Sequence, residues 1–350
     1  MSVVNALQDT GYDLNQLLES VPRVSLAHLP TPLEFLPRLT AHFGGPDIYV
    51  KRDDCTGLGT GGNKTRKLEF VMAEATEQGA TTVITNGAVQ SNHARQTAAA
   101  AAKLGMKCEL MFEHRVPQPS SDYLHSGNVF LDELFGARTW NCPRGADMNA
   151  EMEQLAGRLK DEGEKPYIIV GGASCPLGAL GYVGCAAEII EQSKQLGIEL
   201  GQVVHATGSA GTQAGLVVGL KAAGSGIPVL GIGVNAPVDV QEERVFKLAC
   251  ETAASLDPGI VIERKDVVAN CNYVGDGYGL VTDGMIEAVR LVAELEGLLF
   301  DPVYSGKGLA GLFDLMRKGH FDDDSALVFV HTGGSAALFA YRQQMAAPGS

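Results

Sequence analysis

Short runs of β-branched and aliphatic residues alternate along the chain with longer stretches in which apolar side chains recur at helical spacing. A repeated order of strand and then helix predicts parallel sheets with helices on both faces, and so an α/β fold. The predicted strands cover residues 48–51, 82–85, 109–112, 167–170, 203–206, 229–233 and 326–331. The predicted helices cover residues 65–78, 91–104, 148–162, 180–196, 212–223 and 284–296.

The predicted helix over residues 65–78 is amphipathic. Leu68, Val71 and Met72 fall on one of its faces, while most of its glutamates fall elsewhere. Such a helix packs its apolar face on a sheet, which leaves its amino end free to face a cleft. Lys64 comes directly before this helix.

The composition is that of a globular protein with a large core. Of the 350 residues, 45% are hydrophobic and 19% are charged, and the length suffices for two domains. A net charge of -14 argues against nucleic acid or an acidic membrane surface as a partner. An anionic substrate would therefore need a pocket that is locally basic or rich in amides.

The seven cysteines are scattered and form no C-x-x-C motif, so the sequence predicts neither a disulfide framework nor a zinc site. The eight histidines also lack metal-binding spacing. No apolar stretch is long enough for a membrane span, and no export signal is seen. We expect a cytoplasmic protein without a metal.

The segment Gly61-Gly62-Asn63-Lys64 is the first candidate for chemistry. The glycines allow tight turns and close approach of a flat ligand, and the asparagine can bond a cofactor hydroxyl. A lysine amine acts as a covalent catalyst when it forms a Schiff base with a carbonyl. An exposed lysine at a helix start is the alternative interpretation.

A small, polar turn over residues 207–212 is the second candidate. It lies between the strand 203–206 and the helix 212–223, where amides and hydroxyls at a positive helix end can hold a phosphate. The standard cofactor with both a carbonyl and a phosphate is pyridoxal 5'-phosphate. A turn with only a structural role is the alternative.

Two further segments contain polar side chains beside predicted elements. Ser91 opens a helix, where it can meet a substrate carboxylate or simply cap the helix. Tyr304 can donate or shuttle a proton, and Ser305 can meet a ring nitrogen, although a loop tyrosine that caps the next helix is the alternative. Asn86 and Thr56 are further candidates for the lining of a site.

The segments GGNKTRKLEF, QSNHARQTAA and DPVYSGKG together resemble the fold-type II (tryptophan synthase β-like) pyridoxal-phosphate enzymes. The similarity is to the group with aminocyclopropane-carboxylate deaminase, D-cysteine desulfhydrase and L-cysteate sulfo-lyase, and it extends from Pro30 to Gly334. It implies two open parallel-sheet domains with pyridoxal 5'-phosphate in the cleft between them, and a homodimer. The implied large domain comprises residues 1–65 and 175–350, and the small domain comprises residues 66–174.

The resemblance also implies roles for single residues. Lys64 would bind the cofactor aldehyde covalently, Asn92 would contact its ring hydroxyl, and Ser305 would face its pyridine nitrogen. Lys64, Ser91 and Tyr304 would be catalytic. The implied phosphate-binding residues are Thr207, Gly208, Ser209, Ala210, Gly211 and Thr212. The implied substrate-binding residues are Ser91, Asn92, His93, Tyr273 and Tyr304.

Within this group, the deaminase carries a glutamate where this chain has Ser305. A hydroxyl does not keep the pyridine nitrogen protonated, so we expect a substrate with a good leaving group on its β-carbon. The segments 51–58, 205–215 and 266–279 resemble L-cysteate sulfo-lyase more than the desulfhydrase. The expected reaction is therefore the α,β-elimination of L-cysteate to pyruvate, sulfite and ammonia.

Four alternatives stay open from the sequence. D-Cysteine desulfhydration comes second, and aminocyclopropane-carboxylate deamination is less favoured. A ligand-binding protein that kept the fold would be expected to have a damaged lysine or phosphate turn, whereas both are intact here. A nucleotide-binding dehydrogenase would need a G-x-G-x-x-G motif after an early strand together with an acidic residue about 20 positions later, and this combination is not found.

Overall fold

The computed structural model describes residues 11–346, and within them ten strands form two separate sheets. The predicted α/β class with parallel sheets is therefore confirmed. The strands are β1 Leu33–Phe35, β2 Ile48–Lys51, β3 Thr82–Ala88, β4 Lys107–Glu113, β5 Arg138–Cys142, β6 Pro166–Ile169, β7 Leu200–Thr207, β8 Val229–Gly233, β9 Val268–Asn270 and β10 Ala326–Val330.

Helices connect most of these strands. They are α1 Leu14–Glu19, α2 Pro37–Phe43, α3 Asn63–Glu77, α4 Asn92–Leu104, α5 Ser121–His125, α6 Asn128–Leu134, α7 Met148–Asp161, α8 Pro176–Leu196, α9 Gly211–Ala222, α10 Val238–Leu256, α11 Asp283–Glu296, α12 Ser305–Arg317, α13 Ala337–Ala340 and α14 Arg342–Met345.

The larger sheet has the strand order β1-β2-β10-β7-β8-β9. All its pairs are parallel except β1 with β2, where Leu33 lies opposite Lys51. Helices α8, α9 and α10 bury their apolar side chains on one face, and α2, α11 and α12 do so on the other. Burial on both faces explains why β8 and β10 are continuous apolar runs.

The smaller sheet has the order β5-β4-β3-β6, and all its pairs are parallel. Helices α3 and α4 contribute to the core on one side, and α7 packs on the other through Met152 and Leu155. All strands of this sheet fall between residues 82 and 169. This placement accords with a small domain of residues 66–174, although the bounds of the two domains stay a prediction.

A buried ionic cluster fixes the amino-terminal half of α3. Arg66 donates to Asp53 at 2.9 Å and to Glu188 of α8 at 2.7 Å, and the Tyr182 hydroxyl donates to Asp53 at 2.6 Å. Loss of one partner from such a cluster leaves a buried charge unpaired and costs about 3–5 kcal/mol. The cluster therefore holds rigidly the helix turn that carries Lys64.

Every strand and helix predicted from the sequence is present, with ends shifted by a few residues. The sequence prediction omitted the strands β1, β5 and β9, the long helices α10 and α12, and the short helices α1, α2, α5, α6, α13 and α14. In residues 11–346, no helix combines the length and the apolar character needed to cross a membrane.

Candidate functional site

A cavity of about 210 Å³ opens where strands of both sheets end. Ligands of open α/β sheets bind at the carboxyl ends of the strands, because helix amino ends and loops meet there. The residues that line the cavity at these ends are Asn86 at β3, Arg115 after β4, Gly171 after β6, Thr207 at β7, Asn235 after β8 and Thr332 after β10.

Lys64 is the second residue of α3, and its half-buried side chain enters this cavity. Its Nζ atom lies 3.4 Å from Ser209 Oγ, so the structure brings together the two turns singled out in the sequence. Burial lowers the pKa of Lys64 to about 8. A substantial neutral fraction near neutral pH makes this amine a nucleophile for a carbonyl.

Gly61 and Gly62 shape the turn before Lys64. Their φ angles are 74° and 129°, which L side chains rarely adopt. A Cβ atom at position 61 would lie 1.8 Å from the Asp54 carbonyl oxygen, and one at position 62 would lie 2.7 Å from Gln96 Nε2. The glycines are therefore needed for the close packing that positions Lys64.

The second turn joins β7 to α9. Ala210 has a φ of 75°, an unusual value for a residue with a Cβ atom, and such strain is concentrated at functional sites. The Ser209 hydroxyl accepts a hydrogen bond from Ser174 Oγ at 2.8 Å, and the Gly211 amide donates to the same Ser174 oxygen at 3.3 Å. The amides of this turn lie at the positive end of α9, where a phosphate is stabilised.

The residues predicted to bind phosphate lie together at this turn. Thr207, Gly208, Ser209, Ala210 and Thr212 line the cavity, and Gly211 contributes its backbone at the helix start. Thr207 Oγ1 accepts from Gln241 Nε2 at 2.9 Å, and Thr212 Oγ1 accepts from Asn63 Nδ2 at 3.0 Å.

Lys67, which the sequence analysis did not single out, is buried one helical turn after Lys64. Burial and the neighbouring Lys64 lower the pKa of Lys67 well below its ordinary value. Its Nζ donates to the Gly172 carbonyl at 3.4 Å, and a Cβ atom at Gly211 would lie 2.9 Å from that Nζ. Within residues 11–346 no carboxylate pairs with it, so a phosphate group would supply the counter-charge.

Ser91, Asn92 and His93 lie at the amino end of α4, and all three line the cavity. Ser91 Oγ caps the helix by accepting from the Ala94 amide at 3.1 Å. Asn92 Oδ1 accepts from Asn128 Nδ2 at 2.8 Å, a contact that fixes the orientation of the Asn92 amide. The position of these groups at a helix start suits a carboxylate or a ring hydroxyl.

The imidazole of His93 is held neutral. Its Nε2 atom lies 2.8 Å from Thr85 Oγ1 within the smaller sheet. Burial, together with Lys64 and Lys67 nearby, lowers the pKa of His93 well below its ordinary value. His93 can therefore supply shape and hydrogen bonds to this cavity but no positive charge near neutral pH.

Tyr304 lines the cavity directly before α12, as predicted, and a second tyrosine accompanies it. The Tyr278 hydroxyl contacts the Tyr304 hydroxyl, and the two rings meet edge to face with centroids 5.7 Å apart. Burial raises the pKa of Tyr304 to about 12, so its hydroxyl keeps its proton at neutral pH. The pair is suited to donate a proton inside the cavity.

The prediction that Tyr273 binds substrate is not supported by its position. Its hydroxyl donates to Asp314 of α12 at 2.5 Å, its ring packs against Gly311, and it is not part of the cavity wall. At Tyr273 the chain packs against α12, and it reaches the cavity wall only at Tyr278. The signal for Tyr278 in the sequence was a tyrosine between two glycines, Gly277 and Gly279.

The predicted contact of Ser305 with a pyridine nitrogen is likewise not supported. Its fully buried hydroxyl donates to Asp301 Oδ1 at 2.6 Å and accepts from the Asp301 amide at 2.9 Å. The bond to the carboxylate uses its only hydrogen, and Ser305 is not part of the cavity wall. Thr332, whose part in the site sequence reasoning missed, does line that wall.

The charge of the cavity wall differs from that of the whole protein. Arg115 and Arg244 contribute to the wall together with Lys64, and no carboxylate does among the residues that the structure describes. Sequence reasoning missed both arginines because they are far apart in the chain. Asn86 was a candidate and lines the cavity, whereas Thr56 bonds the Gly62 amide and does not.

These residues fit pyridoxal phosphate. Lys64 offers an amine for the aldehyde, the turn at residues 208–211 offers amides for the phosphate, and Lys67 is a buried amine that a bound phosphate would stabilise in its protonated form. Thr332 and Asn92 also line the cavity and could form hydrogen bonds with the polar atoms of the pyridine ring.

Comparison with known proteins agrees with this fit. The family model described as pyridoxal-phosphate dependent enzyme matches residues 24–333. D-Cysteine desulfhydrases from Salmonella typhi and from Salmonella choleraesuis (strain SC-B67) are each 45% identical over 324 residues, which covers 93% of this chain and 97% of theirs.

Solved structures show the same fold. An ACC deaminase homologue is 37% identical with a TM-score of 0.85, and the alignment covers 95% of this chain and 98% of that one. The diaminopropionate ammonia lyase of Escherichia coli is 15% identical with a TM-score of 0.64, covering 97% of this chain and 94% of that one, and supports the fold alone.

The fold and the site thus define an enzyme that uses pyridoxal phosphate, as predicted. The chain belongs to the pyridoxal-phosphate dependent enzyme family, in the branch with D-cysteine desulfhydrase and ACC deaminase. The predicted fold type and cofactor are confirmed.

Proposed function

We propose that the protein is a carbon–sulfur lyase that carries out an α,β-elimination on a small amino acid with a cysteine skeleton. One observation carries the proposal: the Lys64 amine, with its pKa lowered to about 8, shares a cavity with the protonated pair Tyr278 and Tyr304. Such a site holds both a base and an acid for proton transfer.

Each residue then has a defined task. Lys64 would hold the cofactor through its aldehyde and, once released from it, would accept the α-proton, and the amino end of α4 with Ser91 would bind the carboxylate. Bound pyridoxal phosphate supplies the electron sink for the α-carbon. The carbon–sulfur bond breaks with its electron pair on sulfur, and Tyr304 protonates a leaving group that requires it. One water then hydrolyses the remaining three-carbon fragment to pyruvate and ammonia.

D-Cysteine is the first substrate to consider. Relatives at 45% identity, aligned over 93% of this chain, carry the name D-cysteine desulfhydrase. Elimination from D-cysteine would release sulfide, and the hydroxyl of Tyr304 could protonate it as it leaves.

L-Cysteate is the second candidate, and a specific observation favours it. Arg115 and Arg244 line a cavity whose described wall has no carboxylate, although the protein has a net charge of -14. A sulfonate on the β-carbon adds a second permanent negative charge to the substrate, and a positive wall stabilises it. Sulfite also leaves without being protonated.

Separate product assays test the proposal. Holoenzyme is incubated with D-cysteine, L-cysteine, L-cysteate and aminocyclopropane-carboxylate, and sulfide, sulfite, pyruvate and 2-oxobutyrate are measured. We expect pyruvate with sulfide or sulfite, and no turnover by K64A, which should also lose the visible absorbance of covalently bound cofactor. Release of 2-oxobutyrate alone, or full activity of K64A, would contradict the proposal.

We also propose that the enzyme is a cytoplasmic homodimer. The dimer rests on the resemblance to its group, and the compartment rests on seven cysteines that are all free. Light scattering on the purified holoenzyme measures the mass directly, and a monomer would contradict the proposed dimer.

A further inference from the structure

Arg115 reaches the cavity from the loop after β4, in the smaller sheet. Most of the groups assigned to the cofactor lie instead on α3, on the turn after β7 or after β10. Arg115 and Tyr304 therefore belong to the part of the wall that faces a substrate. The side chain of Arg115 is 31% exposed, so the guanidinium is accessible without being fully solvated.

The guanidinium is held in one orientation. Arg115 Nε donates to Glu113 Oε2 at 2.5 Å, and Glu113 Oε1 accepts from the Gly145 amide at 3.0 Å. The Arg115 Cζ atom lies 5.3 Å from the centroid of the Tyr278 ring, in a cation–π contact. Glu113 and Tyr278 thus contact the side chain on two sides and fix its orientation.

These two contacts leave the edge of the guanidinium that carries the two Nη groups available to bind a ligand. The contact with Glu113 uses Nε, and within residues 11–346 no acceptor is assigned to the two Nη groups. Two parallel N–H donors in a fixed plane match two oxygens of a carboxylate, phosphate or sulfonate group. A side chain that is already fixed loses little entropy when it binds.

Arg244 provides a contrast within the same wall. It lies on α10 with its side chain exposed, and no described residue is assigned as its hydrogen-bond or ion-pair partner. A flexible, exposed arginine raises the local potential, but it fixes no geometry.

We propose that Arg115 is the residue that selects the substrate by the charge on its β-substituent, with its two Nη groups binding the oxygens of a sulfonate. This proposal rests on the proposed elimination function, and it assigns the site to amino acids with an anionic, tetrahedral β-group such as L-cysteate. Arg115 remains bound to sulfur oxygens as the carbon–sulfur bond breaks, which stabilises sulfite as it leaves.

The test compares R115Q with R144Q and R244Q in the holoenzyme. Arg144 is an exposed arginine near Glu113 that does not line the cavity, so its removal subtracts the same charge from the same neighbourhood. Values of kcat and KM are measured with L-cysteate and with β-chloro-L-alanine, whose β-substituent is neutral. Binding of 3-sulfopropanoate and butanoate, which lack the amino group and cannot react, is measured by calorimetry.

We expect R115Q to lower kcat/KM for L-cysteate by roughly 10- to 100-fold, mainly through KM, and to weaken 3-sulfopropanoate by a similar factor. Turnover of β-chloro-L-alanine and binding of butanoate should change less than about 3-fold, and R144Q should leave all four values near wild type. Misfolding would not weaken the ligands that carry a sulfonate while sparing those that lack one.

Other outcomes overturn the proposal. One is that R115Q weakens turnover or binding equally for ligands with and without a sulfonate. Another is that R244Q, and not R115Q, selectively weakens the ligands with a sulfonate. If wild-type enzyme turns over β-chloro-L-alanine or D-cysteine but neither turns over L-cysteate nor binds 3-sulfopropanoate, the role of Arg115 is wrong while the elimination function stands. If no β-substituted amino acid is turned over, the proposed function itself fails.

Discussion

Tyr278 and Tyr304 meet hydroxyl to hydroxyl at the cavity wall, although they are 26 positions apart in the chain and the helix α11 lies between them. The contact with Tyr278 lowers the pKa of Tyr304 relative to burial alone, and either hydroxyl can be the donor in it. When Tyr278 donates, the Tyr304 hydrogen can point at a substrate. In the proposed reaction, Tyr278 then positions Tyr304, and Tyr304 donates the proton.

With D-cysteine, whose sulfide is protonated as it leaves, we expect Y304F to lower kcat by about 100-fold or more, because a general acid contributes that much to a proton transfer. Y278F should lower kcat less, by about 10-fold, because it removes the orientation of Tyr304 and not the donor itself. Y273F is the matched control, since its hydroxyl bonds Asp314 outside the cavity, and its kcat should stay near wild type. A loss in Y273F as large as in Y304F would show that the placement of these tyrosines is wrong.

The lowered pKa of Lys64 predicts how the apoenzyme takes up its cofactor. Only the neutral amine attacks an aldehyde, and the neutral fraction reaches one half at the pKa of about 8. The rate of cofactor incorporation should therefore increase from about pH 6 to about pH 9 and then level off. The return of visible absorbance after mixing measures this rate, and a rise that continues to about pH 10 would mean that Lys64 titrates as an ordinary lysine.

The buried amine of Lys67 beside Gly211 predicts a role in phosphate binding, since a bound phosphate would stabilise its protonated form. K67M should raise the dissociation constant for pyridoxal phosphate by roughly 10- to 100-fold, since a charge-assisted contact to the phosphate is lost. Pyridoxal, which lacks the phosphate, is the control ligand and should bind wild type and K67M about equally. A similar loss for both ligands would place Lys67 in folding and not in phosphate recognition.

The positions of Ser305 and Thr332 predict different results for two similar substitutions. T332V removes a hydroxyl at the cavity wall and should shift the absorbance of the bound cofactor and reduce turnover. S305A removes a buried bond to Asp301 and should lower the free energy of unfolding by about 1–3 kcal/mol with little change in that absorbance. Denaturant unfolding and spectra of both variants measure these effects, and the reverse pattern would restore Ser305 to the ring nitrogen.

Local patterns predicted most of the fold. Strands buried on both faces, such as β10, are short apolar runs, and α3 shows a clear apolar face. Helix α10 escaped because its charged side chains obscure the apolar positions, among them Val245 and Leu248. The three-residue strands β1 and β9 are too short to produce a period of two.

The site was predictable where one segment carries a complete function. Lys64 with its glycines and Ser209 with its turn are local motifs, and their 3.4 Å contact agrees with the expectation. Arg115, Lys67 and Thr332 were missed because their surroundings are set by packing between distant segments. A lysine near the start of a helix gives no sign in the sequence that its ammonium group is buried.

The cavity wall takes residues from the strand ends of both sheets, which have separate hydrophobic cores. A ligand that touches both ends ties two independently packed bodies together, so the free energy of binding adds to the cohesion of the whole chain. The cofactor then holds the two sheets together as well as taking part in the reaction. We expect its loss to weaken the contact between the sheets before it destabilises either hydrophobic core.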